Sequence, residues 1–244
     1  MRSSSRLSLL LLAALVLAAP LALAAPRKPH VVGLGAARRV HYSKIGDPAG
    51  ASPTEQELQI RPLVVDGTLK EWTTGEAHDI TDRSFVVRRV LKINDGLPGE
   101  GPARGARQEW VWQRGPWLLV DRVTGHVAAV HLPDYDPGVS HPAWFRDYAA
   151  YCGVASTGKS LFAVVAQLSA RKAVLHKKLG AFDPDSHPQP ACTSAEWQRD
   201  PMRVTFRPSG RDPVSYDFLP GSAILVEDTP DDDDAKDAKE AKPK

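Results

Sequence analysis

Leu58-Gln59-Ile60-Arg61-Pro62-Leu63-Val64-Val65-Asp66-Gly67-Thr68-Leu69-Lys70-Glu71-Trp72-Thr73 decides between helix and sheet for this chain. An apolar, β-branched run meets Asp-Gly, and a second run containing Thr and Trp follows. Asp-Gly suits a two-residue hairpin turn because that turn needs two successive residues at positive φ. The stretch predicts a β-hairpin, with Leu58 to Val65 as one strand and Thr68 to Thr73 as the other.

The same reading extends toward the C-terminus. Phe85 to Ile93 is β-branched and partly alternating, which places Phe85, Val87, Leu91 and Ile93 on one face with Arg89 as the exception. Asn94-Asp95-Gly96 ends that run, and the Gly/Pro-rich residues 98–105 read as a loop. Three runs come next, Glu109 to Gln113, Trp117 to Val123 and His126 to Leu132. They are separated at Gly115-Pro116 and Thr124-Gly125 and predict a three-stranded meander.

Trp144, Tyr148 and Cys152 are spaced for one helical face, yet the surrounding run suits a strand equally well. Leu161 to Leu179 carries the same ambiguity and is read as strands. Thr193-Ser194-Ala195-Glu196 has the pattern of a capping box and predicts one helical turn before Pro201. Arg203 to Arg207 and Tyr216 to Val226 are the last two expected strands. With 21 prolines and 18 glycines in 244 residues, the chain is cut into short runs, so the fold class is mainly β with one or two short helices.

Residues Leu63 to Pro137 resemble a Src-homology-3-type barrel. The likeness rests on Thr81-Asp82-Arg83-Ser84-Phe85 before the strand ending in Leu91 and Ile93, then on the tryptophan run closing at Thr124-Gly125 and on Leu132-Pro133-Asp134-Tyr135. It implies a five-stranded barrel of a kind used to bind peptides or cell walls. The second half is similar to secreted bacterial proteins, a likeness that implies no activity.

The chain ends bound its location. Arg2 and Arg6 precede an uncharged run from Leu7 to Leu23 that closes on Ala22-Leu23-Ala24, the pattern of a cleavable signal peptide spanning residues 1–24. Export to the periplasm or the extracellular space is therefore expected, with no stable membrane insertion after cleavage. Residues 227–244 hold eight acidic and four basic residues and no apolar side chain larger than alanine, so a disordered tail is expected there. Between them lie an extension (25–57), the small barrel-like domain (58–137) and a β-rich second half packed on it (138–226). The formal net charge of +2, without a concentrated basic stripe, argues against a nucleic-acid surface.

Four groups of residues carry possible chemistry. Gly153 to Ser160 satisfies the phosphate-loop pattern G-x-x-x-x-G-K-[ST], and Ile224 to Asp228 imitates the strand ending in a Mg²⁺-site acid. That loop needs a buried strand before it and a helix after it. Pro-broken β segments supply neither, so a hairpin turn at Ser156 to Lys159 and no bound nucleotide are expected. His131, Asp134, Asp136 and His141 could supply metal ligands, but their spacing matches no metal motif, and neither metal nor other cofactor is assigned. Cys152 and His126 could form a cysteine hydrolase acting on cell-envelope material. The competing expectation is a Cys152–Cys192 disulfide, since these are the two cysteines of the chain and both follow the signal peptide.

Trp110 and Trp112 share a strand face, and aromatic side chains on a β surface can stack on sugars or prolines. Trp110, Trp112, Trp117 and Tyr135 are thus the candidate binding residues. The expected function is binding or envelope structure without catalysis, the partner being a peptide, a polysaccharide or an envelope protein.

Overall fold

In the computed structural model, residues 29–94, 110–186, 190–219 and 222–226 are described, residues 219 and 222–226 through their backbone alone. The expected signal peptide, the loop at 98–105 and the acidic tail lie outside the described residues. The described chain is mainly β, and no helix in it is long and apolar enough to cross a membrane.

The first sheet contains β1 (Val32–Leu34), β2 (Arg38–His41), β3 (Glu57–Val65), β4 (Thr68–Thr81), β5 (Ser84–Asn94), β6 (Trp110–Asp121) and β7 (Val127–Ala129). From β3 to β7 each strand pairs antiparallel with the next, while β1 and β2 both pair with β3. Asp66 (φ 51°) and Gly67 (φ 74°) supply the two positive-φ residues of the β3–β4 turn, and Val65 pairs with Thr68 across it. The hairpin read from Asp-Gly is present.

One expectation for this sheet is corrected. Gly115-Pro116 does not break a strand, because β6 runs through it and stays paired with β5 on both sides, from Asp121–Ser84 to Trp110–Asn94. The expected three-stranded meander is therefore one long strand followed by the short β7. The register shift between Arg88 and Val90 sets one extra residue in β6 and exchanges the faces of β6, while β5 keeps its alternation. Phe85 and Val87 join one core cluster with Leu63, Leu118 and Val120, and Val90, on the opposite face of β5, joins another with Tyr42, Leu58, Ile60 and Trp112. A bulge breaks the two-residue alternation, and simple periodicity does not foresee one.

The second sheet is β8 (Ala143–Phe145), β9 (Tyr148–Val154), β10 (Ser160–Gln167) and β11 (Leu175–Ala181), in the order β11-β10-β9-β8. The third is β12 (Glu196–Arg199), β13 (Met202–Phe206), β14 (Val214–Leu219) and β15 (Ser222–Val226), paired in sequence. The run expected as a single last strand is thus two, β14 and β15. Cys152, Leu161 and Val165 from one sheet share a core with Val204, Phe206 and Phe218 from the other, and Tyr148 meets Phe218 edge-on at 4.8 Å. Tyr151, Ala149 and Val164 point to the opposite face and pack with Leu132, Tyr135 and Trp144. Burial on both faces explains why β9 and β10 read as continuous apolar runs, whose periodicity alone does not separate strand from helix. Each fully buried side chain of the size of Phe206 contributes about 1.5–3 kcal/mol.

The phosphate-loop pattern closes the β9–β10 hairpin. Its turn at 156–159 includes Gly158 at φ 68°, and Ser160 opens a strand instead of a helix. The expected helical turn at Thr193 is absent. Cys192 is tied to Cys152 with Cα atoms 6.2 Å apart, and Thr193 N donates to Arg207 O. The Glu196 carboxylate accepts from Arg207 at 2.9 Å, so Glu196 enters β12 and no capping box forms. The only helical turn among the described residues is a 3-10 turn at Pro48–Gly50.

Candidate functional site

Arg88 lies in the middle of β5 with only 2% of its side chain exposed. A guanidinium there requires partners, because burying an unpaired charge costs several kcal/mol. Asp47 supplies one, reaching in from the 3-10 turn with its Oδ2 3.2 Å from Arg88 Nη1 and its own side chain 2% exposed. Arg88 Nε donates to Gly115 O at 3.1 Å, and Nη1 donates to His141 Nδ1 at 3.4 Å. The β6 bulge that defeats the sequence reading is what turns the Gly115 carbonyl toward Arg88.

Arg114 extends the network. Its Nη1 donates to the Tyr42 hydroxyl at 2.6 Å, and its Nη2 donates to Glu55 Oε1 at 2.8 Å. Arg114 Nη1 also stands 3.9 Å from Asp47 Oδ2. Burial raises the Asp47 carboxyl above the usual range, with Arg88 and Arg114 pulling it back. Burial and the two guanidinium groups push His141 down to about 4. His141 is thus neutral near pH 7 and keeps its proton on Nε2, since Nδ1 accepts from Arg88. Gly50 closes over the pair. A Cβ at that position would lie 2.7 Å from Asp47 Oδ1 and 2.9 Å from Arg88 Nη1, so only glycine fits.

Beside this network is a cleft of about 340 Å³ lined by Arg88, Arg114, Trp117, His141, Thr74 and Ser194, among others, and by the small residues Ala49, Gly50 and Ala51. Such a volume is near the lower end for small-molecule sites. Two of its lining residues each hold a polar atom that has no hydrogen-bond partner and is closed off from the open space of the cleft, Thr74 Oγ1 and Trp117 Nε1. Thr74 is 9% exposed and Trp117 6%. Each such atom costs roughly 1–3 kcal/mol while it stays unpaired.

The four expected binding residues separate. Trp117 lines the cleft, pairs across the strands with Arg88 and meets the Trp144 ring at 5.3 Å. Tyr135 adjoins the same network, where burial pushes its hydroxyl up to about 12. That hydroxyl senses the Trp117 indole N–H without reaching hydrogen-bond geometry. Trp112 is a core residue, edge-on to Trp72 at 5.9 Å, with Arg38 stacked over Trp72 at 4.1 Å. Trp110 stands apart at the start of β6, 49% exposed, with Lys92 Nζ 5.5 Å from its ring.

The other candidates are dispersed. Cys152 is bonded to Cys192 inside the core between the second and third sheets, so its sulfur carries no thiol, and His126 sits in the β6–β7 turn donating through its backbone to Thr124. Asp134 pairs with His176 at 2.8 Å, Asp136 accepts from Gly138 N, and His141 belongs to the arginine network. Among the described residues no three His, Cys, Asp or Glu side chains gather as a metal site.

Asp47, Thr74, Arg88 and Arg114 were missed by sequence reasoning. The available signal was Arg88-Arg89 inside Val86-Val87-Arg88-Arg89-Val90, two charges within a β-branched run, one of which must face a buried side. No protein-family model matches the chain, and no curated protein or solved structure matches it either.

Proposed function

We propose that the protein is a non-catalytic binding protein of the periplasm or extracellular space, and that its ligand sits in the cleft beside Arg88. The observation that carries this reading is the cleft of about 340 Å³ on which Arg88, Arg114, Trp117 and His141 converge. A concave site with a few converging polar and aromatic groups is the usual seat of a small ligand. The disulfide is compatible with export. The barrel likeness belongs to the same proposal, supported by the consecutive antiparallel pairing of β3 through β7.

A thermal-shift screen of the full chain against envelope-derived saccharides and peptides tests it. A ligand at 100 times its Kd adds about 2.7 kcal/mol to stability, which is readily seen. Ala49→Trp, which fills the cleft from its rim, should abolish the shift. The reading fails if no compound stabilises the protein, or if the shift survives in the filled variant.

A further inference from the structure

We infer that the surface where Arg38, Trp72, Lys92 and Trp110 come together is a second binding site, for a saccharide chain that carries carboxylates. None of these four residues lines the cleft beside Arg88, and the inference does not rest on the reading of that cleft.

Register and stacking bring the four together. Tyr42 bridges Trp112, and Ser43 N donates to Trp112 O at 2.9 Å, so the chain leaving β2 lies against β6. Arg38, on β2, holds its guanidinium 4.1 Å from the Trp72 ring centre and 5.4 Å from that of Trp112. Lys92 is the register partner of Trp112 across β5 and β6, so both side chains leave the sheet on one face. Trp110, two residues away along β6, shares that face, and Lys92 Nζ stands 5.5 Å from its ring. Trp112 is the buried floor, while Arg38 and Lys92 are exposed and Trp110 keeps 49% of its surface in solvent.

Two cations stand here without an anion. The carboxylates nearest in the same strands are engaged elsewhere, Glu57 at 3.7 Å from Arg39, Glu71 at 2.9 Å from Arg89 and Glu55 at 2.8 Å from Arg114. Among the described residues no carboxylate pairs with Arg38 or Lys92. An indole face attracts a cation yet uses none of its N–H donors, so both groups are held in place with their hydrogen-bonding edges open to a carboxylate. The exposed Trp110 ring adds a flat apolar platform that can stack on the C–H face of a sugar. An extended peptide finds less to hold, because Trp112 has strand neighbours on both sides, Lys92 and Ser43, and offers no sheet edge to lengthen. A chain of acidic sugar rings brings carboxylates and apolar ring faces to the surface together.

The surface is open, so a Kd of about 1 mM is expected, and such binding adds little to thermal stability. The test follows the indole N–H resonances of the ¹⁵N-labelled full chain during titration with tetragalacturonate. Maltotetraose serves as the neutral counterpart and capped tetraglutamate as an acidic peptide. Tetragalacturonate should shift the Trp110 resonance saturably, at least fivefold more tightly than either control. Its affinity should fall at least threefold as salt rises from about 0.02 to about 0.2 M. Lys92→Gln, a change at an exposed position, and Arg38→Gln should each weaken binding at least threefold, and Ala49→Trp, which fills the cleft, should leave it unchanged. Equal binding of maltotetraose would overturn the role of charge, and tighter binding of tetraglutamate would overturn the ligand class. Unchanged affinity in Lys92→Gln would overturn the placement, and so would loss of binding in Ala49→Trp, which would return the ligand to the cleft. If no probe moves Trp110 at about 10 mM, this surface falls, while the cleft stands or falls on its own screen.

Discussion

Breaking the Asp47–Arg88 pair should be among the most destabilising single changes available in the first sheet. At 3.2 Å and an effective dielectric of about 20, Coulomb's law gives roughly 5 kcal/mol of attraction, offset by the cost of removing both charges from water. Arg88→Met leaves Asp47 with Arg114 at 3.9 Å as its remaining cation, and Asp47→Asn leaves a buried guanidinium facing a neutral amide. Each single variant should lose about 3–5 kcal/mol. The double variant should lose less than the sum of the two, by about 2–3 kcal/mol, because it removes both charges together. Urea unfolding of the wild type and the three variants measures this, provided the m-value is unchanged. Single losses below about 1 kcal/mol that simply add would show that the two side chains do not form the buried pair described, and the cleft geometry built on it would go with them.

Three further outcomes follow from the same structure. Replacing Cys152 and Cys192 by alanine opens a loop closed across 40 residues of sequence, and by the chain-entropy estimate costs ~4 kcal/mol; a urea-unfolding loss under about 1 kcal/mol would count against the bond. His141, pushed from 6.5 down to about 4, is protonated in the unfolded chain before the folded one, so its contribution is complete above pH 6.5 and is lost as pH falls toward 4. That loss is about 3 kcal/mol. His141→Gln should flatten the stability profile over that interval, and an unchanged difference between variant and wild type from pH 7 to 4 would contradict it. Gly50→Ala places a Cβ 2.7 Å from Asp47 Oδ1 and should cost roughly 1–3 kcal/mol by overpacking, measured by thermal unfolding and contradicted by an unchanged midpoint.

Local signals in the sequence reached the elements that local chemistry decides. Asp66-Gly67 sets the β3–β4 turn because it supplies both positive-φ residues within two positions. The Cys152–Cys192 pairing was legible because the chain holds two cysteines. Gly115-Pro116 was misread as a break because its neighbours in β5 compensate for the irregularity, and that compensation lies in a distant part of the chain. Thr193 to Glu196 has the local pattern of a helix start, but a disulfide and the Glu196 carboxylate accepting from Arg207 draw it into a sheet. The site was the least legible part. Trp117 and Tyr135 were found by their aromatic character, whereas Arg88 depends on Asp47 and Arg114 on Glu55, pairs separated by 41 and 59 residues of sequence. Aromatic type also suggested Trp110 and Trp112 equally, and burial divides them, one in solvent and the other in the core.

The most direct measurement is the indole N–H resonance of each tryptophan in ¹⁵N-labelled full chain, followed as the compound giving the largest thermal shift is added. The Trp117 resonance should shift saturably because its ring lines the cleft, with the solvent-exposed Trp110 resonance unmoved. A saturable shift at Trp110 with Trp117 unchanged would place the ligand outside the cleft and contradict the account.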